Sequence, residues 1–243
     1  MLQKDLVVFS GAGLSAPSGI PTFRDDNGLW HNHKIDHVAE YTTWKQHRYL
    51  VHEFHNQRRR DLALVEPNHA HQRIAEWQRK WPTRTQVLTQ NVDDLLERAG
   101  CTDVVHLHGS LHLMKCTACG HLWTHGLQDW NPDKDRCVKC NSARGVKPGT
   151  VFFNEHAPLY KDLYWTVKQL HENSMVVVIG TSGIVLDVQT LFGGTPAVKV
   201  LNNLEPLRTI DHSLFDHVFF ESAHTAVDKI DQLVQNHMEG SQL

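Results

Sequence analysis

Leu6-Val7-Val8-Phe9-Ser10-Gly11-Ala12-Gly13-Leu14-Ser15 opens with four consecutive apolar residues and runs into a glycine-rich turn. A short run that is apolar at every position reads as a strand buried on both faces, the habit of parallel sheets. The turn lets backbone approach a pyrophosphate and lets a following helix N-terminus face its charge. Alone it does not decide, because it lacks the full G-x-G-x-x-G and a G-A-G after a strand also serves tight packing. Working outward, Gln86 to Thr89, Val104 to Leu107, Met175 to Ile179, Ala197 to Leu201 and Val218 to Phe220 read as further buried strands. Helical patterns lie between them, clearest over Trp44 to Leu64, Asn68 to Trp81 with Asn68 as its cap, Asp93 to Ala99, and Ala223 to His237. This alternation predicts an α/β fold: a Rossmann-like parallel sheet with helices on both faces.

Two stretches interrupt the rhythm and predict a smaller lobe. We divide the chain into a discontinuous Rossmann-like domain (1–29, 83–114 and 146–243), a helical insertion (30–82) and a zinc-ribbon module (115–145). In the last, Cys116-Thr-Ala-Cys119 and Cys137-Val-Lys-Cys140 are paired C-x-x-C knuckles, each able to turn two thiolates toward one tetrahedral ion. Four thiolates leave no open position on zinc, so the site is structural. Two disulfides or a redox pair are the alternatives. A cytosolic chain disfavours the first, and a redox C-x-x-C is expected once, at a helix start. Cys101 stands apart and reads as a small buried residue.

The formal net charge of -3 gives no general pull toward nucleic acid or anionic membrane. No apolar run is long enough to span a bilayer and the N-terminus shows no signal-peptide pattern, so a cytoplasmic monomer is expected, without nucleic-acid or membrane partners. With 19 histidines present, only those inside a motif are assigned chemistry.

The motifs come in a definite order: GAGLSAPSGIPTFR (11–24), TQNVDDL (89–95), HLHG (106–109), the four cysteines, GTS (180–182) and LNNLEP (201–206). Most follow strands, where a parallel sheet places its ligand-binding loops. In this combination the chain resembles the sirtuins over nearly its whole length, nearest to the compact bacterial enzymes and the mitochondrial desuccinylase class. The resemblance implies an NAD-dependent protein-lysine deacylase, with acylated-lysine proteins as substrates and NAD and zinc as cofactors. It implies that Gly11, Ala12, Gly13, Ser15 and Arg24 cradle pyrophosphate and ribose, with Gly180, Thr181 and Ser182 opposite. Asn203 would hold the adenosine ribose, with Ala223 a further cofactor contact, and Gln90, Asn91 and Asp93 would surround the nicotinamide ribose. In the family mechanism the acyl oxygen attacks C1′ of that ribose as nicotinamide leaves, and a base then activates a ribose hydroxyl. The resemblance implies that His108 is that base, with Asn91 and Asp93 as further catalytic residues; the unperturbed histidine pKa of about 6.5 suits the role. His106 and His112 are assigned structural roles.

For the substrate, Val151-Phe152-Phe153 is expected to bind peptide backbone by strand addition, a plain buried strand being the alternative for the phenylalanines. Sirtuins that remove acidic acyl groups carry a Tyr-x-x-Arg pair; here His55 stands in for the tyrosine and Arg58 fits. An i,i+3 spacing keeps the two on one helix face, and Arg58 could pair bidentately with succinate or malonate. If His55 must be protonated to help, acidic-acyl activity should lean toward low pH. Arg59 and Arg60 read as solvated surface. The chain departs from the family at Leu96 (histidine in the pattern), Asn154 (glycine) and Asp187 (proline). An NAD glycohydrolase or ADP-ribosyltransferase using the same site, and a non-catalytic NAD or ADP-ribose module, remain as alternative readings.

Overall fold

The computed structural model describes residues 4–22, 29–30 and 33–240. Six parallel strands, β1 (Leu6–Ser10), β2 (Thr85–Thr89), β3 (Val104–His106), β4 (Met175–Ile179), β5 (Val198–Asn203) and β6 (His217–Phe220), form one sheet. Their order is β6-β5-β4-β1-β2-β3. Read from the other edge this is 3-2-1-4-5-6, the doubly wound order.

The all-apolar runs serve both faces. Leu6 and Val8 enter one core with Ile74, Trp77, Val227 and Ile230; Val7 and Phe9 enter another with Leu163, Val188 and Phe192. Alternation of the strand sends successive side chains to opposite layers, so no position of β1 can be polar before Ser10. Helices His69–Lys80 and Ala223–Gly240 supply the first layer. Tyr160–Lys168 and Val188–Phe192 supply the second. Asn68 caps His69–Lys80 as expected, accepting from the Ala70 N–H. Leu96 lies in the first core, and Asp187 caps Val188–Phe192, accepting from the Gln189 and Thr190 N–H groups. Both departures from the family pattern therefore have local structural uses.

The chain divides into two compact units, Met1–Thr22 with Glu66–Leu107 and Pro158–Leu243, and Phe23–Val65 with His108–Ala157. The sheet lies in the first. The helix His69–Lys80, which the sequence reading placed in the insertion, belongs there too, because Ala70, Ile74 and Trp77 pack in the sheet's own core.

In the second unit Gly109–Cys116 pairs antiparallel with Leu122–Thr124 on one side and Val146–Thr150 on the other. The helix Arg48–Ala63 buries Val51, Phe54 and Leu62 but also His52, His55, Asn56 and Arg59. Arg59 corrects the sequence reading, which had it on the surface: it is fully buried. Its guanidinium donates to the Leu111 carbonyl (2.8 Å) and Asn56 Oδ1 (3.0 Å), and meets Met114 Sδ at 3.0 Å. Burial lowers its pKa to about 10. Arg60 is on the surface as expected, paired with Glu53 at 2.6 Å and Asp129 at 2.5 Å.

Candidate functional site

In the doubly wound order, the ligand crevice of a parallel sheet opens at the C-terminal ends of β1 and β4, where the direction of winding reverses. The two glycine-rich loops meet there. Gly11 N–H donates to the Ile179 carbonyl (2.9 Å) and Gly13 N–H to the Gly180 carbonyl (2.8 Å). A Cβ on Gly13 would sit 2.6 Å from Gly180 Cα, and Gly180 has φ +66 with a Cβ position 2.4 Å from Leu14 N. Only glycine lets these loops pack backbone to backbone. Gln90, at the end of β2, ties the second loop to its own, donating from Nε2 to Thr181 Oγ1 at 2.9 Å.

Below the loops is a buried polar network. Ser15 Oγ donates to Asp93 Oδ2 (2.9 Å) and accepts from Asn91 Nδ2 (3.0 Å). His71 Nε2 lies 3.3 Å from the same oxygen. His71 Nδ1 accepts the Asn68 N–H at 3.2 Å, so the ring proton is on Nε2 and donates to Ser15. The hydroxyl thus uses its one donor and both acceptor positions. Burial holds His71 neutral, with its pKa down at about 4. Burial also raises the Asp93 carboxyl, against the Ser15 and Leu95 hydrogen bonds that favour its charge. His71 was not singled out from sequence; the available signal was its place at the third helical position after the Asn68 cap, where a side chain reaches back to the cap N–H.

Asn203 ends β5 and is 2% exposed, yet its Nδ2 has no hydrogen-bond partner among the described residues. A buried unmatched donor costs about 1–3 kcal/mol, and a ligand hydroxyl or ring nitrogen would satisfy it. Ala223 is buried at the first position of the helix Ala223–Gly240. Ala12 and Ser182 lie in the two loops, partly buried. Arg24 lies outside the described residues. The glycine cradle and the Asn203 orphan both fit a dinucleotide.

In the second unit the sulfurs of Cys116, Cys119, Cys137 and Cys140 all lie within 4.8 Å of one another. Cys116 and Cys140 are 3.6 Å apart and Cys119 and Cys137 3.7 Å. A disulfide requires about 2.05 Å, whereas Zn–S bonds of about 2.3 Å put tetrahedral sulfurs about 3.8 Å apart. The spacing fits zinc. Met114, Trp130 and Val146 pack behind the cluster.

His108 opens the second unit, partly buried, and its carbonyl accepts the Val151 N–H at 2.7 Å. Gly109 follows with φ +75, where a Cβ would meet Gly149 O at 2.1 Å, which accounts for the His-Gly pair. Asn154 has φ 60, the left-handed region where the family uses glycine and where asparagine is the best-tolerated alternative. Its side chain donates to Glu40 Oε2 at 2.9 Å.

In the stretch Val151-Phe152-Phe153 the two readings left open by the sequence divide between the phenylalanines. The N–H groups of the stretch are already committed, to the His108 carbonyl, Glu155 Oε2 and the Ala39 carbonyl. Phe152 is 3% exposed and packs with Trp44 and Val51, beneath the Lys147 ammonium at 4.0 Å from its ring centre. It is core. Phe153 is 38% exposed. Lys147 is itself fully buried, donating to the Pro148 and Thr150 carbonyls and pairing with Glu155 at 3.1 Å; burial lowers its pKa to about 8 against the pull of Glu155.

His55 is buried with both ring nitrogens in use, Nδ1 donating to the Val51 carbonyl (2.8 Å) and Nε2 facing Thr150 Oγ1 (3.2 Å). Burial holds its pKa well below the ordinary value, so the expected low-pH preference through a charged His55 is corrected. Arg58 is the more informative partner. Its Nε and Nη2 donate to Asp61 Oδ2 (3.2 and 2.9 Å), while Nη1 is buried with no hydrogen-bond partner among the described residues. One guanidinium edge is taken and one donor is left over.

The family model described as the Sir2 family matches residues 11–187, well over half of the chain. An NAD-dependent protein deacylase of Campylobacter jejuni is 41% identical over 237 residues, covering 98% of each chain. One of Trypanosoma brucei brucei is 40% identical over 221 residues, covering 86% of this chain and 88% of the other. Among solved structures, a Sir2 homologue in complex with ADP-ribose is 29% identical with a TM-score of 0.83, covering 98% of this chain and 94% of that one. A Sir2 homologue in complex with NAD is 29% identical with a TM-score of 0.81, covering 96% and 90%.

Proposed function

This chain belongs to the Sir2 family, and from that membership we propose how its residues divide the work of an NAD-dependent protein-lysine deacylase, one that moves the acyl group to ADP-ribose and releases nicotinamide. The observation that carries the assignment of the nucleotide end is the meeting of the Gly11–Gly13 and Gly180 loops at the switch point of the sheet. Those loops take the pyrophosphate, with Ser15, Thr181 and Ser182 beside it. The unmatched Nδ2 of Asn203 takes the adenosine side.

When bound, NAD supplies the ribose carbon to which the acyl oxygen adds as nicotinamide leaves. Gln90, Asn91 and Asp93 hold that ribose. Ser15, fixed by His71, Asn91 and Asp93, keeps these side chains from turning away. His108 accepts the proton of a ribose hydroxyl at its ring nitrogen. The four cysteines hold zinc and fix the ribbon, with no part in the reaction.

For the acyl group, the Nη1 of Arg58, which has no hydrogen-bond partner among the described residues, supports a substrate carboxylate, so succinyl- or malonyl-lysine is a substrate beside acetyl-lysine. Phe153 is the exposed substrate-side aromatic. One lysine peptide carrying either acetyl or succinyl, turned over by wild type and Arg58→Met, tests this. Selective loss of succinyl turnover supports it; no change in the acetyl-to-succinyl ratio removes it.

A further inference from the structure

We propose that His106, at the end of β3, is a positioning residue for NAD: as an imidazolium it staples the two ends of the segment Asn91 to Glu97, and its deprotonation unfastens that segment. The proposal rests on the reading that Gln90, Asn91 and Asp93 meet NAD.

His106 Nδ1 lies 2.9 Å from the Asn91 carbonyl oxygen and Nε2 lies 2.6 Å from Glu97 Oε1. A carbonyl and a carboxylate only accept, and a neutral imidazole has one N–H. Both bonds exist together only when the ring carries two protons. The groups facing the ring agree: Glu97 from the helix Leu95–Arg98 and Asp93 from the loop before it are both acidic. Burial opposes the charge, but the Glu97 hydrogen bond and the two carboxylates outweigh it, and the His106 pKa is raised.

The segment it spans carries the network described above. Asn91 N–H donates to Thr89 Oγ1 (3.0 Å) and its side chain to Ser15; Asp93 accepts from Ser15 and, at 3.2 Å, from the Leu95 N–H. A neutral ring keeps one bond. If Nε2 keeps the proton, the Nδ1 lone pair faces the Asn91 carbonyl and repels it. If Nδ1 keeps it, Glu97, 40% exposed, leaves for water. Either way one end of the staple opens. Because the folded-state pKa is raised, the staple is complete below the ordinary histidine value near 6.5 and is lost as pH rises through the raised one.

Turnover also depends on His108, so the test reads binding. NAD affinity is measured by calorimetry from pH 6 to 9 for wild type and Glu97→Gln. The His106 midpoint is followed by NMR, with the resonance assigned through His106→Gln, and amide exchange of residues 91–97 is measured over the same range. The wild-type midpoint lies above that of free histidine, NAD binding weakens roughly tenfold across it, the loss of about one charge-assisted hydrogen bond, and protection of 91–97 falls with it. Glu97→Gln moves all three to lower pH together. A His106 neutral at pH 6.5, or profiles that Glu97→Gln leaves in place, would overturn the proposal. Should NAD not bind at any pH, the reading of the nucleotide site fails, while the midpoint and the exchange still decide the staple.

Discussion

Asp61→Ala should raise turnover of acidic acyl groups relative to acetyl. Asp61 occupies Nε and Nη2 of Arg58 at 3.2 and 2.9 Å, so an incoming carboxylate finds only Nη1 and also meets a like charge. The ion pair itself is half solvated, with side chains 14% and 35% exposed, and such a pair is worth about 0.2–1 kcal/mol, so its loss will not unfold the helix. The gain is larger. A hydrogen bond to a charged group contributes about 1.5–3 kcal/mol, and freeing the second edge allows the bidentate geometry that Arg forms with carboxylates. Allowing for the cost of ordering the acyl chain, we expect about 1–2 kcal/mol, roughly five- to thirtyfold in kcat/KM for succinyl peptide. Acetyl peptide, with no carboxylate, should change less than about twofold. The assay is steady-state nicotinamide release on matched acetyl and succinyl peptides, with urea unfolding to confirm equal stability. A succinyl kcat/KM that falls or stays constant while acetyl is unchanged would refute the assignment of Arg58 to the acyl carboxylate.

Three further outcomes follow from the same geometry. Gly13→Ala forces a Cβ to 2.6 Å from Gly180 Cα, so the two loops must part; NAD binding by calorimetry should be lost while far-UV circular dichroism keeps its α/β signature. His71 and His52 are buried with pKa values near 4, below the unfolded value of 6.5, so their stabilisation is complete above pH 6.5 and is lost as pH falls through 4. Urea unfolding at pH 7.5, 5.5 and 4.5 should show stability dropping by up to roughly 3 kcal/mol per histidine, less in His71→Asn; a flat profile would refute the neutral assignments. One zinc per chain is expected by metal analysis, and chelation should expose Trp130, buried behind the sulfurs, as a shift in its fluorescence; a chain without zinc that keeps Trp130 buried would contradict the ribbon.

The sheet was readable from sequence because both its faces are buried. Every residue of β1 and β4 is covered, so the runs Leu6 to Phe9 and Met175 to Ile179 carry no polar interruption. The short helix Val188–Phe192 was not readable, since five residues hold too little periodicity and its start depends on the Asp187 cap. The glycines and cysteines were legible for a different reason: backbone approach and metal coordination each admit few residue types. Less legible were side chains whose surroundings come from remote parts of the chain. Arg59 looks like surface beside Arg58 and Arg60, and only the Leu111 carbonyl and Asn56, met in the fold, make its burial possible. His55 stands where the resemblance puts the tyrosine of a Tyr-x-x-Arg pair, but its ring is engaged by Val51 and Thr150. Phe152 and Phe153 are adjacent and alike, and only packing sends one into the core and the other out. His71 shows the same limit in reverse, a helix residue whose second nitrogen reaches Ser15 across 56 residues of chain.

The most direct measurement is nicotinamide release by wild type and His108→Ala, with and without an acyl-lysine peptide, alongside mass spectrometry of the nucleotide product. We expect release by the wild type that depends on the peptide, an ADP-ribose product carrying the acyl group, and loss of turnover in His108→Ala with zinc content and fold unchanged. Release without peptide, giving plain ADP-ribose, or full activity in His108→Ala, would contradict the account.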